Sequence, residues 1–73
     1  MTRKELGEKI REIRMAKNLT RDQLATRSEL SSKFLYEIEK GRKGLSVESL
    51  MKISKGLSCS CDQILMGKEM EEK

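Results

Sequence analysis

The chain has 73 residues, 38% of them charged and 36% hydrophobic, with a net charge of +4, no histidine, no proline and two cysteines. That is room for one small domain, and a chain this short buries only about 60% of the surface its unfolded form exposes, so a catalytic cleft beside a core is hard to fit. Lacking histidine, the commonest general base and metal ligand, and with no partner for Cys59 or Cys61 in nucleophilic catalysis or a zinc tetrad, the sequence points away from an enzyme and from any metal or cofactor.

Without proline, helix caps must supply the punctuation. Thr2 with Glu5 has the form of a capping box, and Leu6, Ile10, Ile13 and Ala16 stripe one face of a first helix near residues 3–17. Thr20 with Gln23 opens a short second helix near 21–28, anchored by Leu24 and Ala25. Ser31 reads as the N-cap of a third helix near 32–40, marked by Leu30, Phe34, Leu35 and Ile38. Ser46 with Ser49, a weak box because Ser is a poor reciprocal partner, begins a fourth near 47–57 carrying Val47, Leu50, Met51, Ile53 and Leu57. Ser60 with Gln63 begins a short fifth near 61–66 with Ile64 and Leu65. Gly41, Gly44 and Gly67 stand where helices should stop. No segment alternates with period two, so the fold class is all-α.

Charge is unevenly placed. Residues 1–44 carry 12 Lys or Arg against 7 Asp or Glu, and residues 45–73 carry 4 against 5, which makes the first part +5 and the second −1. A basic half attracts a polyanion, although a solvated basic surface has the same composition. No apolar run approaches the ~20 residues of a membrane span, and "MTRKELGEK" has no apolar signal-peptide region, so a cytoplasmic protein with no membrane association is expected. Cys59 and Cys61, separated by one residue, staple nothing distant and are expected as reduced thiols, with Cys59 packed between the fourth and fifth helices.

Helices two and three are separated only by Glu29, Leu30 and Ser31, the spacing of a helix-turn-helix at 21–40 and equally of a plain αα-corner. On helix three, Phe34, Leu35 and Ile38 point one way, while Ser32, Lys33, Tyr36, Glu37 and Lys40 point the other. Each outward group can reach a base edge or a phosphate: Lys to guanine, Glu to the cytosine amine, Ser to either, and the Tyr ring to a thymine methyl. Arg21, Arg42 and Lys43 form a basic collar around this face. Glu39, at the edge of the core face, needs a partner, and Arg14 is the candidate for a scaffolding ion pair. "GRKG" at 41–44 matches a backbone-clamping Gly-x-x-Gly loop, but that loop needs a neighbouring sheet and the chain offers no strands.

The pieces "IREIRMAKNLT", "DQLA", "LSSKFLYEIEKGRK" and "SVESLMKISKGLSCSCDQIL" together resemble the Cro/repressor-type (XRE-like) helix-turn-helix family over about 60 residues, through all five helices in order. The resemblance implies a compact five-helix DNA-binding domain, placed here at residues 1–67, and residues 68–73 are expected to form a flexible C-terminal tail, as termini usually do. It implies a transcriptional regulator, a repressor in this reading, that binds double-stranded DNA as a homodimer; the sequence itself gives no ground for inferring a small-molecule ligand. Carried onto this chain, Ser32, Lys33, Tyr36 and Glu37 become base-reading positions, and Arg21, Lys40, Arg42 and Lys43 phosphate contacts. Arg14 and Glu39 become the ion pair between helices one and three. Ile64, Leu65, Met66 and Met70 are candidates for a C-terminal dimer contact, although for Ile64 and Leu65 packing of the short last helix on its own core is the better reading. Many members of that family have Gln at the position of Arg21, Gly at that of Glu29 and Pro in the connection where this chain has "KGLS". A non-Gly residue with positive φ is uncommon, so Glu29 implies a different or a strained turn. A rival reading with the same fold is a protein-interaction module, an adaptor or antitoxin-like partner.

Overall fold

The computed structural model describes residues 2–66. The expected stop at Gly67, the tail at 68–73 and the contact at Met70 lie outside the described residues. Five helices follow in order: α1 (Arg3–Ala16), α2 (Arg21–Ser28), α3 (Ser32–Glu39), α4 (Val47–Leu57) and α5 (Cys61–Met66). None is long and apolar enough to cross a membrane.

Local chemistry accounts for where the helices begin. The Thr2 and Thr20 boxes are reciprocal: Glu5 N–H donates to Thr2 Oγ1 at 3.0 Å while Thr2 N–H donates to Glu5 Oε1 at 2.9 Å, and Gln23 repeats this with Thr20 at 3.0 and 2.8 Å. Ser60 and Gln63 do the same at 3.2 and 3.3 Å. Ser31 caps α3 by accepting from Phe34 N–H at 3.0 Å. At α4, Ser46 accepts from Ser49 N–H at 3.1 Å, but the return bond is hydroxyl to hydroxyl, so this box is incomplete as its composition implies.

The first four helices end in one motif. Leu19, Leu30, Arg42 and Cys59 each donate a backbone N–H to the carbonyl five residues back, at 3.1, 2.9, 2.8 and 3.0 Å, and the residue before each lies in the left-handed region. Those residues are Asn18 (φ 59), Glu29 (φ 57), Gly41 (φ 78) and Ser58 (φ 58). The turn at Glu29 thus keeps its geometry without glycine and carries the steric cost of a Cβ there. Gly44, read from sequence as a stop, lies beyond the end of α3 in the α3–α4 connection and stands against the Arg3 side chain.

Every helix contributes to one core: Ile10 of α1, Leu24 and Ala25 of α2, Leu35 and Ile38 of α3, Ile53 and Leu57 of α4, and Ile64 of α5. Leu6, Ile13, Leu30, Phe34, Leu50 and Cys59 pack half-buried around it. Four residues of the expected stripes lie outside. Ala16 is exposed because the buried line of α1 runs through Gly7, Ile10 and Arg14, and Ala16 is two residues, or about 200°, past its last member. Val47 and Met51 are 74% and 59% exposed because α4 buries Ile53, Ser54, Gly56 and Leu57 instead. Leu65 is exposed on α5 beside the buried Ile64.

Two glycines permit the close approaches. A Cβ at Gly56 would overlap Ser28 Oγ, and one at Gly7 would overlap the carbonyl oxygen of Ile38, so α4 lies directly on α2 and α1 directly on the last turn of α3. The second approach fixes the depth at which α3 sits.

Candidate nucleic-acid interface

The open face of α3 is held from behind by a buried carboxylate. Glu39, its side chain 1% exposed, accepts from Arg14 Nε at 2.7 Å and Arg14 Nη2 at 3.2 Å, so the two residues expected to pair do meet. Arg14 Nη1 also donates to the Leu19 carbonyl at 2.9 Å, tying α1 to the α1–α2 connection. Arg21 Nε donates to Glu39 Oε1 at 3.3 Å, an ion pair the sequence did not suggest. One carboxylate thus joins α1, α2 and α3, and two guanidinium groups leave the network with a net positive charge.

The two aromatic rings of the chain gather the cations that surround this face. The Tyr36 ring has Arg21 Cζ 5.1 Å, Lys40 Nζ 5.6 Å and Arg42 Cζ 5.6 Å from its centroid, and the Phe34 ring has Lys43 Nζ at 5.4 Å. The expected phosphate-contacting residues Arg21, Lys40, Arg42 and Lys43 are therefore all seated on α3 aromatics. Between them Lys33 is exposed and Tyr36 and Glu37 are half-buried. Phe34 is half-buried against the core, less enclosed than Leu35 or Ile38. Ser32 is half-buried and its hydroxyl donates to an Asp22 carboxylate oxygen across the turn. The 42–43 loop is tied down by its backbone, since the N–H groups of Arg42 and Lys43 both donate to the Glu37 carbonyl, at 2.8 and 3.3 Å.

Residues of α1 also belong to this surface. Gly41 lies against the Lys4 backbone and Gly44 against the Arg3 side chain, so the first turn of α1 abuts the basic loop. An open cleft of about 370 Å³ between α1 and α3 is lined by Lys4, Glu8, Arg11, Arg21, Glu39 and Lys40. Arg3, Lys4 and Arg11 were missed from sequence because only the tertiary approach of α1 to the loop brings them there. "RK" at 3–4 was the available signal. Asp22 was missed because an acid in the first turn of a helix has a local explanation in the helix dipole.

Cys59 and Cys61 are both free thiols, and no group of acidic or cysteine side chains suited to a metal ion occurs among the described residues. Burial pushes the Cys59 thiol up from its ordinary value, outweighing the charge of Lys17, which pulls it down. Cys61 Sγ donates to Ser54 Oγ at 3.4 Å, which fastens the start of α5 to α4.

A family model described as helix-turn-helix matches residues 10–64, from the core of α1 to the core of α5. The chain belongs to the helix-turn-helix family. Within it the chain is of the Cro/repressor (XRE-like) type and is similar to the HTH-type transcriptional activator BcrR of Enterococcus faecalis, at 38% identity over 66 residues. That match covers 90% of this chain and 32% of BcrR, so the chain spans about a third of that protein's length. It is 33% identical over 60 residues to the control protein C.BamHI of Bacillus amyloliquefaciens, covering 81% of this chain and 74% of that one. Among solved structures, the clp gene regulator ClgR of Corynebacterium glutamicum superposes with a TM-score of 0.86 at 32% identity, over 100% of this chain and 95% of that one. The matched span contains α2, the Glu29–Ser31 turn and α3.

Proposed function

We propose that this chain is a sequence-specific DNA-binding transcriptional regulator, a binding protein and not an enzyme, that lays α3 in the major groove. The observation that carries this reading is the α3 face itself, polar at its centre and bracketed by four cations held on its two aromatic rings. Ser32, Lys33, Tyr36 and Glu37 meet base edges, and Arg21, Lys40, Arg42 and Lys43 meet the flanking phosphates. Arg14 and Glu39 serve as scaffold. Names of relatives as regulators, one an activator and one a control protein, support the class of function.

The unit that does this is residues 1–67, acting in the cytoplasm as a homodimer on a pseudo-palindromic site whose half-sites lie about 34–36 Å apart. Repression by occupying the operator is the form of control that demands least of so small a domain. A reporter with the bound site placed over or upstream of a promoter separates repression from activation.

Selection of bound sequences from a random duplex pool at stated salt tests the whole reading: one enriched motif is expected, and enrichment of none would sink it. Arg42→Ala is expected to weaken binding to all sequences alike and to reduce the salt slope by about one.

A further inference from the structure

We infer that Asp22 sets the base preference of the first turn of α3, by taking the one proton of Ser32 and leaving there a surface that can only accept hydrogen bonds. The inference deepens the major-groove reading above and rests on it. Ser32 Oγ donates to an Asp22 carboxylate oxygen. The direction is fixed by chemistry, because an ionised carboxylate has no proton to give and a hydroxyl has a single one. With that proton committed, Ser32 offers the groove lone pairs alone, and so does the second oxygen of Asp22. A serine in isolation could face any base, since it donates and accepts; this one is restricted to bases that donate.

In the major groove the donors are the amino groups of adenine and cytosine, whereas guanine and thymine present only acceptors there. The strand facing Ser32 should therefore carry adenine or cytosine, and reversing that base pair places a keto oxygen against the serine and the carboxylate. Two acceptors then confront a third, with no proton among them. The setting of Asp22 supports this role. Its neighbour Arg21 is turned away to Glu39 and Tyr36, and among the described residues Asp22 makes no ion pair. An unneutralised carboxylate beside a groove weakens binding to every sequence. What it contributes in return is the rejection of the wrong edge, a repulsive element of the kind specificity requires.

The test measures binding of the full chain to its selected site and to duplexes carrying each substitution and reversal at every base pair. Ser32→Ala identifies the pair in question as the one whose preference flattens. The wild type should favour adenine or cytosine on one strand at that pair by about tenfold over the reversed pair, as for one hydrogen bond gained and one repulsion avoided. Asp22→Asn, whose amide can donate to Ser32 and free its proton, should bring this ratio to within about twofold or reverse it, as should Asp22→Ala, while affinity for all sequences rises with loss of a negative charge. Preferences at the other pairs should stay as they were. The inference is overturned if the wild type favours guanine or thymine there, or if Ser32→Ala flattens no pair. It is equally overturned if both Asp22 variants keep the wild-type ratio, even with a lowered melting temperature, since that is the behaviour of an acid that only stabilises α2. Selection that enriches no sequence would instead remove the major-groove reading on which all this depends.

Discussion

Replacing Glu39 by alanine should be among the most damaging single changes to the fold. The carboxylate accepts from Arg14 twice, at 2.7 and 3.2 Å, and from Arg21 at 3.3 Å, with a side-chain exposure of 1%. Its removal leaves the Arg14 guanidinium, 9% exposed, as a buried charge whose remaining partner is the Leu19 carbonyl. Breaking one side of such a buried pair costs about 3–5 kcal/mol. A domain of this size has a total stability of roughly 4–11 kcal/mol, so Glu39→Ala should consume a large part of it and lower the melting temperature by at least about 12 °C. Arg14→Ala should cost less, because Arg21 still faces the carboxylate. Arg21→Ala should cost under about 1 kcal/mol, since its side chain is 34% exposed and solvent screens the contact. The assay is urea denaturation followed by far-UV circular dichroism, with the midpoints compared at constant slope. The order Glu39, Arg14, Arg21 should persist at high salt, where exposed pairs are screened and buried ones are not. A loss under about 1 kcal/mol for Glu39→Ala, or equal losses for the two arginines, would refute the reasoning.

Other outcomes follow from packing and backbone. Gly56→Ala should cost about 1–3 kcal/mol by forcing a methyl into Ser28 and Leu24. Ser28→Ala should raise stability by about 1 kcal/mol, because Ser28 Oγ is buried without a hydrogen-bond partner, and in the double variant it should recover part of the Gly56→Ala loss; denaturation midpoints of the three variants check both. Glu29→Gly should stabilise by about 1 kcal/mol through relief of the left-handed φ of 57, leaving base preference unchanged, and a lowered midpoint would count against a strained turn. Burial raises the Cys59 thiol pKa, so the fold favours the neutral thiol. The stability this contributes is whole below the unfolded thiol value of about 8.5 and is lost as pH rises through the higher folded value. Melting temperatures of wild type and Cys59→Ala between neutral pH and pH ~10 should therefore converge as pH rises.

The sequence is most legible where one residue acts on another a few positions away. Thr2 with Glu5, Thr20 with Gln23 and Ser60 with Gln63 complete their boxes over three residues, so the starts of α1, α2 and α5 follow from composition alone. Hydrophobic spacing was less decisive. Val47 and Met51 have the periodicity of a buried stripe, yet Gly56 lets α2 approach a different face of α4. The same limit governs the interface. The outward set on α3 follows from helical geometry, but the bond between Ser32 and Asp22 spans ten residues and that between Arg21 and Glu39 spans eighteen. Both cross the turn between two helices, and neither side chain announces its partner. Arg21 read as a simple phosphate ligand because nothing in its neighbours points to Glu39.

The crowding of Arg21, Lys40 and Arg42 around a single phenol ring has a consequence for the unbound protein. These three like charges repel one another, and the face of the ring, together with the Glu39 carboxylate that Arg21 shares with Arg14, offsets only part of that repulsion. The free domain is thus under electrostatic tension that small mobile anions relieve weakly and a fixed row of anions relieves well. Added salt then acts in two opposite senses through one cluster, easing the tension of the free domain while displacing the partner that would relieve it more completely.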